Sequence, residues 1–305
     1  MRSLPVGFTS LVSLGLTLSC GSVCWGQTND QVRRPPDLGT GGGIANAQQL
    51  FDQSKYQRAL EKCDQKLNED FPGPVYNRIQ ALATRCCLLL NRRDDALRRI
   101  EAIHDRDPAS PYLSLIPLVW DDRLPASERY TAPPKDLHSK SLTRRLAAAS
   151  ALLHESQFTA ECVKVLTEVR ASRRRPVSIL AEIQLWRLQM SDTESVHLPT
   201  IRRWQNRTTS LPETLRAGAK FVVGRALQLR HKPDQASLEL LWLPLMETDD
   251  PYLAASGLAE SVVCLETTGR LESARRLRRE LQDRFRDSSA ARRLADPDSK
   301  PAGDD

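Results

Sequence analysis

The fold is decided by a short pattern that occurs four times, each time between two amphipathic segments. The four copies are Ser54-Lys55-Tyr56-Gln57-Arg58-Ala59, Asn91-Arg92-Arg93-Asp94-Asp95-Ala96, His231-Lys232-Pro233-Asp234-Gln235-Ala236 and Gly269-Arg270-Leu271-Glu272-Ser273-Ala274. The closing alanines lie 37 residues apart in the first two copies and 38 apart in the last two. Recurrence at this period, between helix-forming segments, predicts an array of helical repeats.

The flanking segments carry apolar residues at three- and four-residue steps, the spacing of one helix face. They are rich in alanine, leucine, arginine and glutamate, which favour helix, and alternating β-branched runs typical of strands are nearly absent. The sequence therefore predicts an all-α protein, an α-solenoid of about six antiparallel helix hairpins. The expected pairs span residues 47–67, 75–107, 142–169, 179–205, 215–243 and 253–285.

One stretch interrupts this rhythm between the second and third pairs. Prolines at positions 117, 125, 133 and 134 exclude one continuous helix. We expect residues 112–120 to pack on the array as a short apolar segment. Residues 121–136 are expected to form a loop on the surface.

The hairpins resemble tetratricopeptide repeats, a family of stacked helix pairs that bind proteins and peptides. Gly224 with Ala236 matches the small residues at which that family's two helices cross, and the Gly269 to Ala274 stretch matches its turn and following alanine. Asp107-Pro108 and Asp250-Pro251 match its usual repeat ending. Small residues are needed where helix axes approach closely, so Ala59, Ala96, Gly224, Ala236, Gly269 and Ala274 are predicted repeat-packing residues.

The N-terminus has the features of an export signal. Arg2 is followed by a mostly apolar stretch of about 15 residues, shorter than a membrane span, and residues 1–26 are predicted to be a cleaved signal peptide. The alternative is a lipoprotein anchored at Cys20, because Leu18-Ser19-Cys20 resembles the end of a bacterial lipobox. We expect a periplasmic or secreted protein whose only membrane contact is this signal or a lipid at Cys20.

The rest of the chain divides by composition. Residues 27–44 contain Arg33-Arg34-Pro35-Pro36 and a glycine-rich run, which predicts a disordered linker. Residues 45–295 form the predicted repeat domain, interrupted by the loop 121–136. Residues 296–305 are predicted to be a short disordered acidic tail.

Seven cysteines are present, and five remain if the signal is removed: Cys63, Cys86, Cys87, Cys162 and Cys264. None has metal-binding spacing, and all lie on apolar helical faces, which favours buried free thiols. Stacked hairpins would bring Cys63 near Cys86 and Cys87, and export makes oxidation possible, so a disulfide from Cys63 to one of them is the alternative.

The net charge of +6 comes with several arginine clusters, which occur in nucleic-acid-binding proteins. Acidic residues are interspersed and no aromatic platform accompanies the arginines, so solvated helix faces are the better interpretation. We expect no nucleic-acid partner.

No catalytic constellation or cofactor motif is found, and we expect neither an enzyme nor a cofactor. His154-Glu155 with Cys162 could suggest a nucleophile and a base, and Asp121-Asp122 and Asp249-Asp250 could act as paired carboxylates. Edge and core positions for the first group, and helix-end positions for the second, are the simpler interpretations.

The sequence therefore favours a non-enzymatic exported scaffold that binds a protein or peptide partner. The alternative is an exported all-helical enzyme acting on envelope glycans. In the resembled family, the position eleven residues before the repeat alanine faces the concave groove. The resemblance thus implies that Arg85 and Arg225 hold carboxylates of a bound peptide.

Overall fold

A computed structural model describes residues 42–191, 196–246 and 250–295. The predicted signal peptide, Cys20, the acidic tail and the linker up to residue 41 lie outside the described residues. The last residues assigned to the linker already belong to a helix that begins at Gly42.

The described residues are all-helical and contain no strand, which confirms the predicted fold class. Thirteen α-helices follow one another in the described ranges, and they pack in sequence as expected for an α-solenoid. The helices are α1 Gly42–Asp52, α2 Tyr56–Leu67, α3 Gly73–Leu89, α4 Arg93–Arg106, α5 Leu142–Leu152, α6 Thr159–Ala171, α7 Arg175–Ser191, α8 Leu198–Thr209, α9 Arg216–Leu229, α10 Pro233–Leu245, α11 Pro251–Thr267, α12 Leu271–Arg284 and α13 Ser289–Ala295. None of them is both long enough and apolar enough to cross a membrane.

The four copies of the sequence pattern form four turns with the same backbone geometry. The first residue of each has a positive φ: 60° at Ser54, 57° at Asn91, 54° at His231 and 73° at Gly269. The next residue donates its N–H to the carbonyl five positions earlier, as in Lys55 to Leu50 (2.9 Å) and Arg270 to Leu265 (2.9 Å). This is a Schellman cap, and at each turn the next helix begins after three intervening residues.

The alanines of the pattern pack in the interior, whereas Gly269 is exposed, has no atom within 4 Å of an added Cβ and serves the turn alone. Ala59, Ala96, Ala236 and Ala274 are all buried. Gly224 on α9 faces α10, where an added Cβ would lie 2.6 Å from Leu240 Cγ. The close approach of α9 and α10 therefore depends on the absence of a side chain at position 224.

Residues 107–141, here called the inserted segment, join α4 to α5 without an α-helix. They contain three short 3₁₀ turns, at Pro111–Leu115, Ala126–Glu128 and Pro134–His138. As expected, the apolar stretch from Tyr112 to Trp120 packs in the core, where Leu113, Leu115, Ile116, Leu118 and Val119 are buried.

Residues 121–136 form the expected loop, and half of them are exposed, among them Pro125, Ala126 and Ser127, but the loop is not confined to the surface. Asp121, Leu124, Glu128 and Tyr130 are each less than a tenth exposed. The physical reason is that the segment's charged groups and carbonyls find partners on helices from both halves of the array. Burial of these charged groups and carbonyls therefore leaves few polar atoms unpaired, although the Tyr130 hydroxyl has no hydrogen-bond partner among the described residues.

Candidate functional site around the inserted segment

The first anchor of the inserted segment is the backbone of Val119. Its N–H donates to Ser150 Oγ on α5 at 2.9 Å. Its carbonyl accepts hydrogen bonds from Gln184 Nε2 on α7 (3.2 Å) and from Arg187 Nη1. An irregular stretch of backbone is thus held by side chains of α5 and α7.

Arg187 is the organising residue of this anchor, with a fully buried side chain. Besides Val119 it donates to Gln184 Oε1 (2.6 Å), to the carbonyl of Ser150 (3.0 Å) and to Asp122 Oδ1 (2.8 Å). Burying a guanidinium is tolerated only when its donors are satisfied and its charge is paired, and both conditions hold.

Asp122 also contacts a histidine at the edge of this network. Its Oδ2 lies 3.2 Å from His154 Nε2, and both side chains are about one-third exposed. Burial lowers the pKa of His154; Asp122 opposes this shift, whereas Arg187 and Arg129 add to it. The imidazole therefore favours its neutral form, in which Nε2 either donates to Asp122 or accepts from Arg187 Nε (3.4 Å), according to the tautomer.

The second anchor is a buried cluster of carboxylates and arginines. Glu260 on α11 is only 3% exposed, and it contacts Arg123 (2.9 Å), Arg293 (3.1 Å) and Arg225. Asp121, also buried, contacts Arg123 through both carboxylate oxygens, at 2.8 and 2.9 Å. The cluster therefore connects the inserted segment to α9, α11 and α13.

The charges of this cluster determine its protonation states. Burial alone would raise the pKa of Glu260, but Arg225, Arg123 and Arg293 outweigh it and hold that pKa below its ordinary value. For Asp121 burial is likewise outweighed by the hydrogen bonds and charge of Arg123, and its pKa is lowered. Both carboxylates are thus ionised at neutral pH.

The third anchor joins sequence positions that are 161 residues apart. The Glu128 carboxylate accepts hydrogen bonds from Ser289 N (2.8 Å) and Ser289 Oγ (2.7 Å), and it pairs with Arg292 at 3.0 Å. On its other side, the carbonyl of Glu128 accepts from Arg93 on α4. The inserted segment therefore links the fourth helix directly to the thirteenth.

A narrow cleft with about 10 Å³ of space, room for about one water molecule, lies between the inserted segment and the start of α11. Arg93 lies over the ring of Tyr252 in its wall, 5.0 Å from the centroid, and Asp250 also lines it. Asp250 caps α11 by accepting from the N–H groups of Tyr252 (3.0 Å) and Leu253 (3.1 Å), as predicted from the sequence. Its partner in the suggested carboxylate pair, Asp249, lies outside the described residues.

Asp121 and Asp122 do not cap helices, contrary to the sequence interpretation. They pair with arginines instead, because the inserted segment carries them into the interior. Burial also disfavours the suggested nucleophile. Cys162 is buried, and burial raises the pKa of its thiol to about 11, which disfavours the reactive thiolate.

The two arginines predicted to line a peptide groove lie in different environments. Arg225 is bound to Glu260 and to Gln228 Oε1, and its side chain is less than one-fifth exposed. Arg85 lies half-buried on α3. Their contact with a peptide stays a prediction, but Arg225 would have to exchange Glu260 for the peptide's carboxylate.

The cysteines are free and buried, as favoured by the sequence. Cys63, Cys86 and Cys87 share one apolar cluster with α1 to α4, so the predicted neighbourhood exists. Burial raises the pKa of Cys63 and of Cys86 to about 12. Pairing of Cys63 with Cys87 or Cys86 stays a prediction. Within the described ranges, no three His, Cys, Asp or Glu side chains are grouped so as to hold a metal ion.

The sequence analysis missed Glu260, Arg123, Arg187 and Glu128. Two of them carried a signal, because Arg187 and Glu260 are charged residues on apolar faces of strongly buried helices. Such a residue needs a buried partner, although the sequence does not show which one. Comparisons with family models, with curated proteins and with solved structures found no match for this chain.

Proposed function

We propose that this protein is an exported, non-enzymatic scaffold of tetratricopeptide-like antiparallel helix pairs that binds a protein or peptide partner. The observation that supports it most directly is the fourfold turn geometry, with a positive φ residue followed five positions later by a buried alanine. Repeated helix pairs of this kind present extended surfaces suited to proteins. The signal at residues 1–26 would deliver the scaffold to the periplasm or the exterior.

The state of the interior charges favours binding over catalysis. Both oxygens of Asp122 are engaged, by Arg187 and His154, and Glu260 is shared by three arginines. These groups hold the inserted segment in place. A catalytic acid or base needs a substrate-accessible site, and the cleft beside them is narrow.

The alternative, an exported helical enzyme acting on envelope glycans, is favoured by one observation. The Asp122–His154 pair is partly exposed at the edge of the network, next to two arginines. In that case His154 would act as the base, and Asp122 would orient its ring.

The experiment that tests the scaffold proposal is a pulldown with the mature protein from its own envelope fraction. Retained proteins are identified by mass spectrometry, and binding is then measured by calorimetry with the purified candidate. We expect saturable binding that survives His154→Gln. Failure to retain any protein, together with release of soluble glycan fragments that His154→Gln abolishes, would support the enzyme instead.

A further inference from the structure

Helix α7 joins the two largest apolar clusters of the described residues. Val177, Leu180 and Ala181, in its first half, pack in one cluster with residues of α4, α5 and α6. Ile183 and Trp186, in its second half, pack in the other cluster with residues of α8, α9 and α10. Contacts at the ends of α7 therefore lie at the joint between two parts of the array.

A buried histidine contacts the start of α7. His104, in the last turn of α4, is 2% exposed, and its Nε2 lies 3.0 Å from Nη1 of Arg174, the residue just before α7. A guanidinium has only donors, so Nε2 is the acceptor and the ring is neutral, with its proton on Nδ1. The hydrogen bond therefore exists only while His104 is unprotonated.

The acidic groups near His104 compensate poorly for a proton on its ring. Asp105 on the same helix lies 3.9 Å from Nδ1, but its side chain is 83% exposed. Glu101, also on α4, is already paired with Arg144 of α5 at 2.5 Å. Burial and the charge of Arg174 outweigh both acids and lower the pKa of His104. A protonated ring here is a buried cation beside an arginine, and it has to regain water.

The other end of α7 has a similar contact with one difference. Arg187 Nε lies 3.4 Å from His154 Nε2, and Arg129 of the inserted segment also acts on this ring. However, Asp122 Oδ2 lies 3.2 Å from the same nitrogen. A protonated His154 keeps this carboxylate beside it, so acid should act more strongly at the start of α7 than at its end.

We propose that the contact between His104 and Arg174 is a pH-sensitive switch, which holds the end of α4 to the start of α7 and opens when His104 takes up a proton. The inference concerns the array itself and goes beyond the proposed function, because it holds for any partner. After protonation both groups are cations that can only donate, so the hydrogen bond is lost. Arg174 is exposed and can turn into solvent. His104 is buried, so the end of α4 must open before water reaches the charged ring.

The test is native-state hydrogen exchange of the full-length protein at about pH 7.5 and about pH 5.5, either side of the ordinary histidine pKa of about 6.5. Protection factors are compared, so that the intrinsic pH dependence of exchange cancels. The reporter amides are those of Asp107 and Ser178, which donate to carbonyls four residues earlier at 2.8 and 3.0 Å. Acidification should lower their protection severalfold, and linkage limits the loss to about tenfold. The hydrogen-bonded amides of Ala59 and Ala274, far along the chain, should keep their protection.

Three variants distinguish this contact from other sources of pH dependence. His104→Gln keeps an acceptor for Arg174 but cannot be protonated, so protection should no longer change with pH. His138→Gln is the matched control, because the His138 side chain is 73% exposed, and it should keep the wild-type response. Arg174→Gln removes the neighbouring cation, so NMR titration of the His104 ring should give a higher pKa than in the wild type.

The opposite results overturn the inference. Unchanged protection of the wild type on acidification, or an equal loss in His104→Gln, would refute it. An equal loss at Ala59 and Ala274 would also refute it, because the whole array would then respond to acid. If Arg174→Gln leaves the pKa of His104 unchanged, the contact does not control the proton and the proposal fails.

Discussion

The four capped turns and the inserted segment are stabilised in opposite ways. Each turn is local: a left-handed residue closes the preceding helix, and an alanine five positions later packs against a neighbour. The inserted segment has no regular structure over most of its length, and it is held by side chains from α4, α5, α7, α11 and α13. The comparison shows that local turns repeated along the chain form the helix array. Ion pairs between residues far apart in sequence hold the inserted segment in place.

The largest expected effect comes from breaking the buried cluster. Glu260→Ala leaves Arg123, Arg225 and Arg293 near one another without their shared carboxylate, and should lower the free energy of unfolding by about 3–5 kcal/mol. Glu266→Ala on the same helix removes a partly exposed pair with Arg278 and should cost about 1 kcal/mol or less. Urea unfolding of both variants checks this. Equal losses would show that the cluster contributes no more than a surface pair.

Glycine substitutions compare the two regions directly. At Gly218 a Cβ would lie 2.3 Å from the ring of Trp120 in the inserted segment, and at Gly224 it would lie 2.6 Å from Leu240. Alanine at either position should cost about 1–3 kcal/mol, with the greater loss at Gly218 because an indole ring cannot bend away. Gly73→Ala is the control, because no atom lies within 4 Å of its added Cβ. Melting temperatures of Gly218→Ala and Gly224→Ala as high as that of Gly73→Ala would contradict the tight packing.

The turns are expected to respond to single changes of backbone preference. Gly269→Ala forces an alanine to a φ of 73° and should destabilise by about 1 kcal/mol. His231→Gly, at a φ of 54°, relieves the same strain and should be neutral or slightly stabilising. Opposite signs in chemical unfolding support equivalent turns, whereas matching signs would indicate that side-chain contacts control the two sites.

The smallest expected effect is a pH dependence of stability that comes from His154, which contacts Asp122 of the inserted segment. Burial lowers the pKa of His154 in the folded state, so the unfolded chain takes up the proton more readily. The free energy of unfolding should therefore decrease as the pH falls below about 6.5, the ordinary value for histidine. His154→Gln should flatten this slope relative to the wild type in urea unfolding at several pH values. An unchanged slope would show that another group causes the pH dependence. His104 is an example, because burial lowers its pKa as well.

The sequence alone determined the helical class, the positions of the four turns and the buried alanines that follow them. These features depend on local periodicity and on backbone conformations at single positions, which neighbouring residues reveal. The burial of the five thiols followed for the same reason, since each lies on an apolar helix face.

Only the tertiary structure decided the path of the inserted segment and the partners of its charges. Prolines showed that residues 107–141 could not continue a helix. The sequence contained no sign that Glu128 would reach Ser289, that Asp121 would be buried or that Asp122 would pair with the buried Arg187. A charged residue is buried when a partner far along the chain compensates its loss of hydration, and that pairing exists only after the helices have packed.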